Sequence, residues 1–310
     1  MSERPGLLCG GIEVGGTKTV VAIGTGPDDV RAESRFPTKG FAKCWPAAIA
    51  FLREQERIHG RIAGVGVGGL GQIDTDPASP TYGRVTATLK DGWADVDCVT
   101  PLREAFGVPV GFDTDVVAAA TAERRWGAGR GLRSLIYLTV GTAIGAAVVS
   151  GGRFVRGFSH PLVGHLPMPR DPAADPFPGC CPQHGDCWKG LAAGPAIGRR
   201  WGLPAEELPP DHPAWSLEAH YLAVGVVQLL YAFTPERFIL GGGVMQQAQL
   251  FPLIRARVLE RLGGYVRQPL VLERIDEYVV PPTLGPRAGV LGAIALGQEA
   301  VTSNPVQSQL

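Results

Sequence analysis

Two stretches of this chain follow one plan, and that repetition narrows the possible folds more than any other feature. Residues 9–24, CGGIEVGGTKTVVAIG, run from an apolar segment through a glycine turn with a threonine into a second apolar segment. Residues 135–152, LIYLTVGTAIGAAVVSGG, repeat the order. Each reads as a β-hairpin, and a hairpin duplicated within one chain implies two related lobes. Each lobe then opens on a glycine turn whose backbone N–H groups can face an anion.

The rest of the chain alternates strand and helix. Residues 62–74 begin as an apolar strand and end in glycines, and residues 108–129 pass from a short strand into a helix that Thr114 or Asp115 can cap. Helical periodicities follow at 215–233, 247–262 and 287–300, with a strand at 237–244 between the first two. This pattern predicts an α/β fold with parallel segments in each of two sheets. The predicted division is a first lobe at 1–120 and a second at 121–310, with the last helix, about 287–303, returning to the first lobe. Two proline-rich polar stretches, 168–179 and 203–215, read as long loops, and 302–310 reads as a frayed tail.

A chain of 310 residues with 45% hydrophobic content can build a core in each lobe. Lys plus Arg and Asp plus Glu both number 29, so no net field draws in nucleic acid or an anionic membrane. The first twenty residues lack a basic segment followed by an apolar core, and the expectation is a cytoplasmic protein that acts on small molecules.

The six cysteines are too sparse for a disulfide scaffold. Cys9, Cys44 and Cys98 stand singly in apolar or mixed surroundings and read as buried packing residues. The other three lie in CCPQHGDC, Cys180 to Cys187, together with His184. Cys and His at such spacing in a reducing compartment favour a metal over a disulfide.

The first glycine turn, EVGGTK (13–18), offers close backbone approach at Gly15 and Gly16, a hydroxyl from Thr17 and a positive charge from Lys18. Alone it can equally close a hairpin and bind nothing. Its repeat TVGTAIG (139–145) and a third cluster, Gly241, Gly242 and Gly243, shift the reading towards a phosphate or nucleotide site. Neither GxxxxGK[ST] nor a suitably placed GxGxxG is present. In FDTDVVAA (112–119), Asp113 and Asp115 fall between a strand and a helix start, where a carboxylate can take a proton from a hydroxyl or simply cap the helix.

Taken in order, GGIEVGGTK, TYGRVTATLKDGW (81–93), PVGFDTDV (109–116), VGTAIGA (140–146), GFSHPLVGH (157–165), CPQHGDCWKGLAAGPAI (181–197) and ILGGGVMQQ (239–247) resemble the ROK family of sugar kinases, most closely its bacterial zinc-containing fructokinase branch. The resemblance covers nearly the whole chain. It implies the duplicated actin-like, ribonuclease H-like two-lobe fold with an active-site cleft between lobes. It implies ATP-dependent phosphorylation of a sugar hydroxyl, D-fructose to D-fructose 6-phosphate being the expected reaction, with Mg²⁺-ATP, a structural Zn²⁺ and a homodimer. Asp115 matches the catalytic base. Gly15, Gly16, Thr17 and Lys18 match the first phosphate loop, Gly141 and Thr142 the second, and Gly241, Gly242 and Gly243 the adenosine-contacting turn. Glu13 matches the acid on the Mg²⁺ side. Gly69, Thr114, Asp115, Leu162 and His165 match sugar-side positions. His165, Cys181, His184 and Cys187 match a closed tetrahedral zinc site in the loop region 157–190, with Cys180 as an adjacent extra thiol.

Departures from the family pattern bear on the acceptor. Leu162 stands where related kinases have a Glu that holds sugar hydroxyls, Val117 where fructokinases often have Asn, and Ala143 where the second phosphate loop usually has Gly. A leucine cannot accept a hydrogen bond, and an unpaired hydroxyl facing it costs about 1 to 3 kcal/mol. Another hexose, or a cyclitol or aminosugar of secondary metabolism, is therefore an alternative acceptor. A non-catalytic sugar-binding regulator is the alternative of another class. Trp93 and Tyr82 can flank a sugar or pack in a core, His160 can supply polarity or serve a turn, and REQER (53–57) reads as a solvated helix face.

Overall fold

Strand β1 (Cys9–Val14) is almost wholly buried, as a strand covered on both faces must be. In the computed structural model, which describes residues 6–303, β1 is the centre of a sheet. It pairs antiparallel with β2 (Lys18–Gly26), which pairs antiparallel with β3 (Asp29–Pro37). Helix α1 (Phe41–His59) leads to β4 (Gly64–Gly69), parallel to β1. Short strands β5 (Gln72–Ile73), β6 (Arg84–Ala87) and β7 (Val96–Asp97) form a separate three-stranded sheet. Helix α2 (Thr100–Phe106) precedes β8 (Val110–Thr114), parallel to β4, and α3 (Asp115–Trp126) follows. The order in the main sheet is β3-β2-β1-β4-β8.

The second sheet repeats this arrangement. Antiparallel strands β9 (Leu135–Val140), β10 (Ile144–Ser150) and β11 (Arg153–Phe154) are followed by α4 (Trp188–Ala192), α5 (Gly194–Trp201) and α6 (Ala214–Phe233). Strand β12 (Arg237–Gly241) lies parallel to β9. Helices α7 (Leu250–Leu262), α8 (Pro269–Leu272) and α9 (Ile275–Tyr278) lead to β13 (Val279–Val280), parallel to β12. The order β11-β10-β9-β12-β13 matches the first sheet strand for strand. Helix α6 is long and apolar enough to cross a membrane by length and composition, and most of it is buried in the second core with Trp188 and Phe238.

The chain divides into residues up to Gly127 together with those from Pro286 onward, and Ala128–Gly285. The division thus falls at Gly127 rather than at 120, because α3 runs unbroken to Trp126 with Val116 to Glu123 buried. The second unit ends at Gly285, and the last helix, α10 (Ala288–Ser303), packs on β1, β4, β8 and α3 of the first, as expected for a helix returning to that lobe. Residues 304–310 of the tail lie outside the described residues. The strand expected at 237–244 stops at Gly241, where Gly242 takes φ +96, and the helix expected from 247 starts at Leu250 after a single 3₁₀ turn.

Helix α10 is apolar on every side, and the sheet meets it with glycines. A side chain at Gly11 would strike Val290 and Ile294, one at Gly66 the Ala293 carbonyl, and one at Gly111 the Leu296 carbonyl. From the helix, a side chain at Gly292 would strike the Ala118 carbonyl of α3. The opposite face of β1 meets Leu52 of α1, whose buried row is Cys44, Trp45, Ala48 and Leu52. Trp93 joins this row edge-on to Trp45 and Phe41, fully buried, so it packs a core. Tyr82 accepts the Phe112 N–H at 3.1 Å and packs edge-on to Phe112, a structural role as well. Cys9, Cys44 and Cys98 are buried.

Gly66→Ala is expected to lower unfolding stability by about 2 to 4 kcal/mol, since helix and sheet must separate to admit the methyl. Urea denaturation of the variant beside Gly60→Ala, where a Cβ meets nothing within 4 Å although φ is +97, separates collision from backbone strain.

Candidate active site

In a sheet with parallel strands, the loops at the carboxyl ends share one edge. Register places the first unit's predicted residues on that edge. Glu13 pairs with Gly68, and Gly69 with Thr114, so the ends of β1, β4 and β8 bring Glu13, Gly69, Thr114 and Asp115 to neighbouring positions. The turn after β1 is closed by the Gly15 N–H donating to the Lys18 carbonyl at 3.0 Å and tied to β3 by the Thr38 N–H donating to the Thr17 carbonyl at 2.9 Å. Gly15 and Gly16 are half-buried, while Thr17 and Lys18 are exposed.

Thr114 caps α3, its hydroxyl accepting the Val117 N–H at 3.2 Å. Its side chain is buried, so its contribution at the edge is to aim the next residue. Asp115 is the first residue of α3, and its Oδ1 accepts the Val116 N–H at 2.8 Å. Burial pushes the Asp115 carboxyl up to about 6 against the pull of the backbone N–H groups. Glu13 goes further, to about 7: burial is the main cause, the Asp115 charge adds to it, and Lys18 and Arg35 oppose it. Glu13 Oε2 is buried with no hydrogen-bond partner. Two acids that repel each other, one with an orphaned oxygen, form a donor set that suits a hard divalent cation and its water shell. Asp113 is buried, its Oδ1 accepting the Thr114 N–H at 2.8 Å.

The second unit repeats the edge. Thr139 pairs with Gly241, so the β9–β10 turn and the glycines after β12 sit side by side. The Gly141 N–H donates to the Ala143 carbonyl at 2.9 Å, and the Gly194 N–H, at the start of α5, donates to the Gly141 carbonyl at 2.8 Å. A Cβ at Gly242 would run into the Val140 backbone, and one at Gly141 would approach the Gly243 nitrogen at 3.6 Å. Gly141, Thr142, Gly241, Gly242 and Gly243 are thus gathered together with Gly194, a contact that the sequence does not reveal because Gly194 lies far along the chain from the turn it meets. Ala143 adopts a backbone with negative φ, so the turn closes without a glycine there.

Leu162 and His165 bound one 3₁₀ turn, closed by the His165 N–H donating to the Leu162 carbonyl at 3.0 Å. Leu162 is 39% exposed and lines a groove of about 500 Å³ with Leu166, Gln228 and Phe233. His160 is half-buried beside Ser159, its imidazole held below the ordinary range by burial and by Arg156.

One ligand atom each from His165, Cys181, His184 and Cys187 falls within 4.8 Å of the others. Cys181 Sγ lies 3.9 Å from His165 Nδ1 and 3.8 Å from His184 Nδ1, and the two imidazole nitrogens are 3.0 Å apart. Bonds of about 2.0 to 2.3 Å at tetrahedral angles separate ligand atoms by roughly 3.3 to 3.8 Å, so the four residues need only small side-chain shifts to close on one ion. Burial opposes ionisation of the Cys181 thiol, yet the His184 and Gln183 backbone N–H groups and the Cys187 side chain bring it down to about 7. Burial and the nearby Lys189 and His184 keep His165 neutral, as a ligand must be. Cys180 stands outside the set, its N–H donating to the Gly190 carbonyl at 2.9 Å.

Behind this loop lies a network that the sequence did not signal. Asp175 pairs with Arg200 at 3.1 Å and accepts the Tyr221 hydroxyl at 2.6 Å, and Arg170 bridges the Asp175 carbonyl and Asp186. These contacts hold the ligand loop to α5 and α6.

Residues 9–300 match the model of the ROK family. The chain belongs to the ROK family. Fructokinases of Pediococcus pentosaceus and Zymomonas mobilis are each 37% identical to it, covering 95% and 94% of this chain and 99% and 97% of their own lengths. The crystal structure of the ROK hexokinase from Thermus thermophilus superimposes with a TM-score of 0.75 at 27% identity, over 96% of this chain and all of that one. The duplicated sheets are therefore the two-lobe actin-like fold of ROK sugar kinases.

The raised Glu13 carboxyl makes this edge costly to hold once the acid is ionised. With a folded pKa about 7 and an unfolded one near 4.5, the cost is absent below pH 4.5 and complete above pH 7. Without divalent cations, Glu13→Gln is expected to be about 3 kcal/mol more stable than the parent at pH 8 and close to it at pH 4.5, checked by urea denaturation.

Proposed function

We propose that this ROK protein phosphorylates a sugar hydroxyl with ATP, D-fructose to D-fructose 6-phosphate being the favoured reaction. The observation that carries the reading is Asp115. It stands at a carboxyl-end edge, aimed by the Thr114 cap, with Oδ1 held by the Val116 N–H and a pKa of about 6. A base poised near neutral pH can take the proton of the attacking hydroxyl, and its other oxygen, Oδ2, would receive it. The oxygen then bonds to the γ-phosphorus of ATP as the bond from that phosphorus to ADP breaks. The backbone N–H groups of the glycine turns, with Thr17, Lys18 and Thr142, would hold phosphate oxygens, and Gly241 to Gly243 the adenosine. Magnesium, when bound, neutralises phosphate charge; Glu13 is the residue of this chain suited to orient its water shell. The fructokinase relatives support fructose as the acceptor.

Leu162 favours a second reading of the acceptor: a solvent-facing leucine on the turn that carries His165 accepts no hydroxyl proton, which suits a sugar or cyclitol with one hydroxyl fewer on that side. A coupled assay of ADP formation with fructose, mannose, glucose and cyclitols decides between them. Fructose is expected to give the highest kcat/KM, and turnover of a cyclitol alone would establish the second reading. Asp115→Asn is expected to lower kcat by about 10² to 10⁴-fold with a melting temperature close to the parent's. The parent's kcat/KM should fall as pH drops through about 6, where Asp115 becomes protonated. An ATP turnover unaffected by the Asn variant would restore the sugar-binding regulator.

The four-residue cluster would hold one structural Zn²⁺, since four protein ligands leave no position for an activated water. It would fix His165 and, through the 3₁₀ turn, Leu162. Cys181→Ser is expected to lose the zinc that atomic absorption finds at about one equivalent per chain in the parent, and to melt several degrees lower. The reading includes a cytoplasmic homodimer; exposed Phe158 and Tyr231 on the second unit support an interface, and light scattering measures it.

A further inference from the structure

Cys9, Gly11 and Glu13 alternate onto the face of β1 that α10 covers. Gly297 lies against Cys9, and Val290 and Ile294 lie against Gly11. At the third position the arrangement changes sides: the strand carries a long acid, and the helix carries the glycine. A Cβ on Gly289, the second residue of α10, would collide with Cδ, Oε1 and Oε2 of Glu13. Gly289 does not need its freedom for backbone reasons, because its φ is outside the left-handed region. Glycine is among the poorest helix formers, and here it makes room for a carboxylate. If close packing were the whole purpose, a small residue at 13 and an apolar one at 289 would serve, as at Gly11 and Val290. The acid seated there instead keeps Oε2 buried and unpartnered. It lies against the first turn of a sixteen-residue helix, where the dipole favours negative charge.

We infer that Gly289 is a positioning residue for Glu13: the space left by its missing side chain seats the carboxylate on the first turn of α10 and so sets where this acid meets the cation that accompanies the nucleotide. The inference rests on the reading of Glu13 as the magnesium-side acid.

Calorimetric titration with a non-hydrolysable ATP analogue, AMPPNP, in Mg²⁺ and separately in EDTA, tests it on the parent, Glu13→Gln, Gly289→Ala and the double variant Gly289→Ala with Glu13→Asp. Thermal melts establish that each is folded. Gly289→Ala is expected to weaken binding in Mg²⁺ about tenfold, as a displacement of about 1 Å in a positioned group can, and to leave binding in EDTA unchanged. Shortening the acid by one methylene in the double variant is expected to restore most of the loss. Unchanged Mg²⁺ binding in Gly289→Ala, with a loss in Glu13→Gln, overturns the inference and keeps the Glu13 reading. Equal weakening in Mg²⁺ and EDTA, or a loss that Glu13→Asp does not recover, also overturns it. If Glu13→Gln binds like the parent, the Glu13 reading fails and the inference with it. Should Gly289→Ala not fold, the double variant decides: a folded, Mg²⁺-responsive protein supports the seat, and an unfolded one refutes it.

Discussion

The first unit depends on the distance between α10 and its sheet. Glycines at 11, 66 and 111 bring the helix backbone almost onto the strands, and Gly292 brings α3 against it. Contact at this range gains dispersion that a looser layer would forfeit. It also makes the helix a rigid reference for the ends of the strands. Glu13 emerges from β1 where the helix begins, and Asp115 emerges where α3, packed on the same helix, begins.

The two acids illustrate how a fold stores electrostatic cost at one sheet edge. Neither is neutralised by a hydrogen-bonded cationic partner, both are pushed towards neutral pH, and Asp115 raises Glu13 further. A site of this kind is less stable empty than filled, and binding energy is available to organise it. The second unit stores no comparable charge at its glycine turns. Its polar investment lies behind the Cys and His cluster, in the Asp175, Arg200 and Tyr221 network.

Much of the fold was legible because its signals are local. Duplicated hairpins, the Thr114 cap and the periodicity of α6 each need only neighbouring residues. Boundaries were less legible where one backbone angle decides, as at Gly242. Trp93 and Tyr82 could not be assigned from sequence, since an aromatic beside a sugar and one in a core look alike until the partners are known. The partners are Trp45, Phe41 and Phe112.

The sequence by itself determined the architecture class, the duplication, the family, and the residue types able to bind phosphate, metal and a proton. Those follow from patterns of two, three or four residues and from motifs in fixed order. Only the tertiary structure decided which of them meet: Gly194 against the second glycine turn, Asp175 with Arg200, Cys181 rather than Cys180 in the Cys and His cluster, and Gly289 against Glu13. The reason is physical. Contacts between residues far apart in sequence depend on how closely backbones approach, and that distance is set by the packing of whole elements.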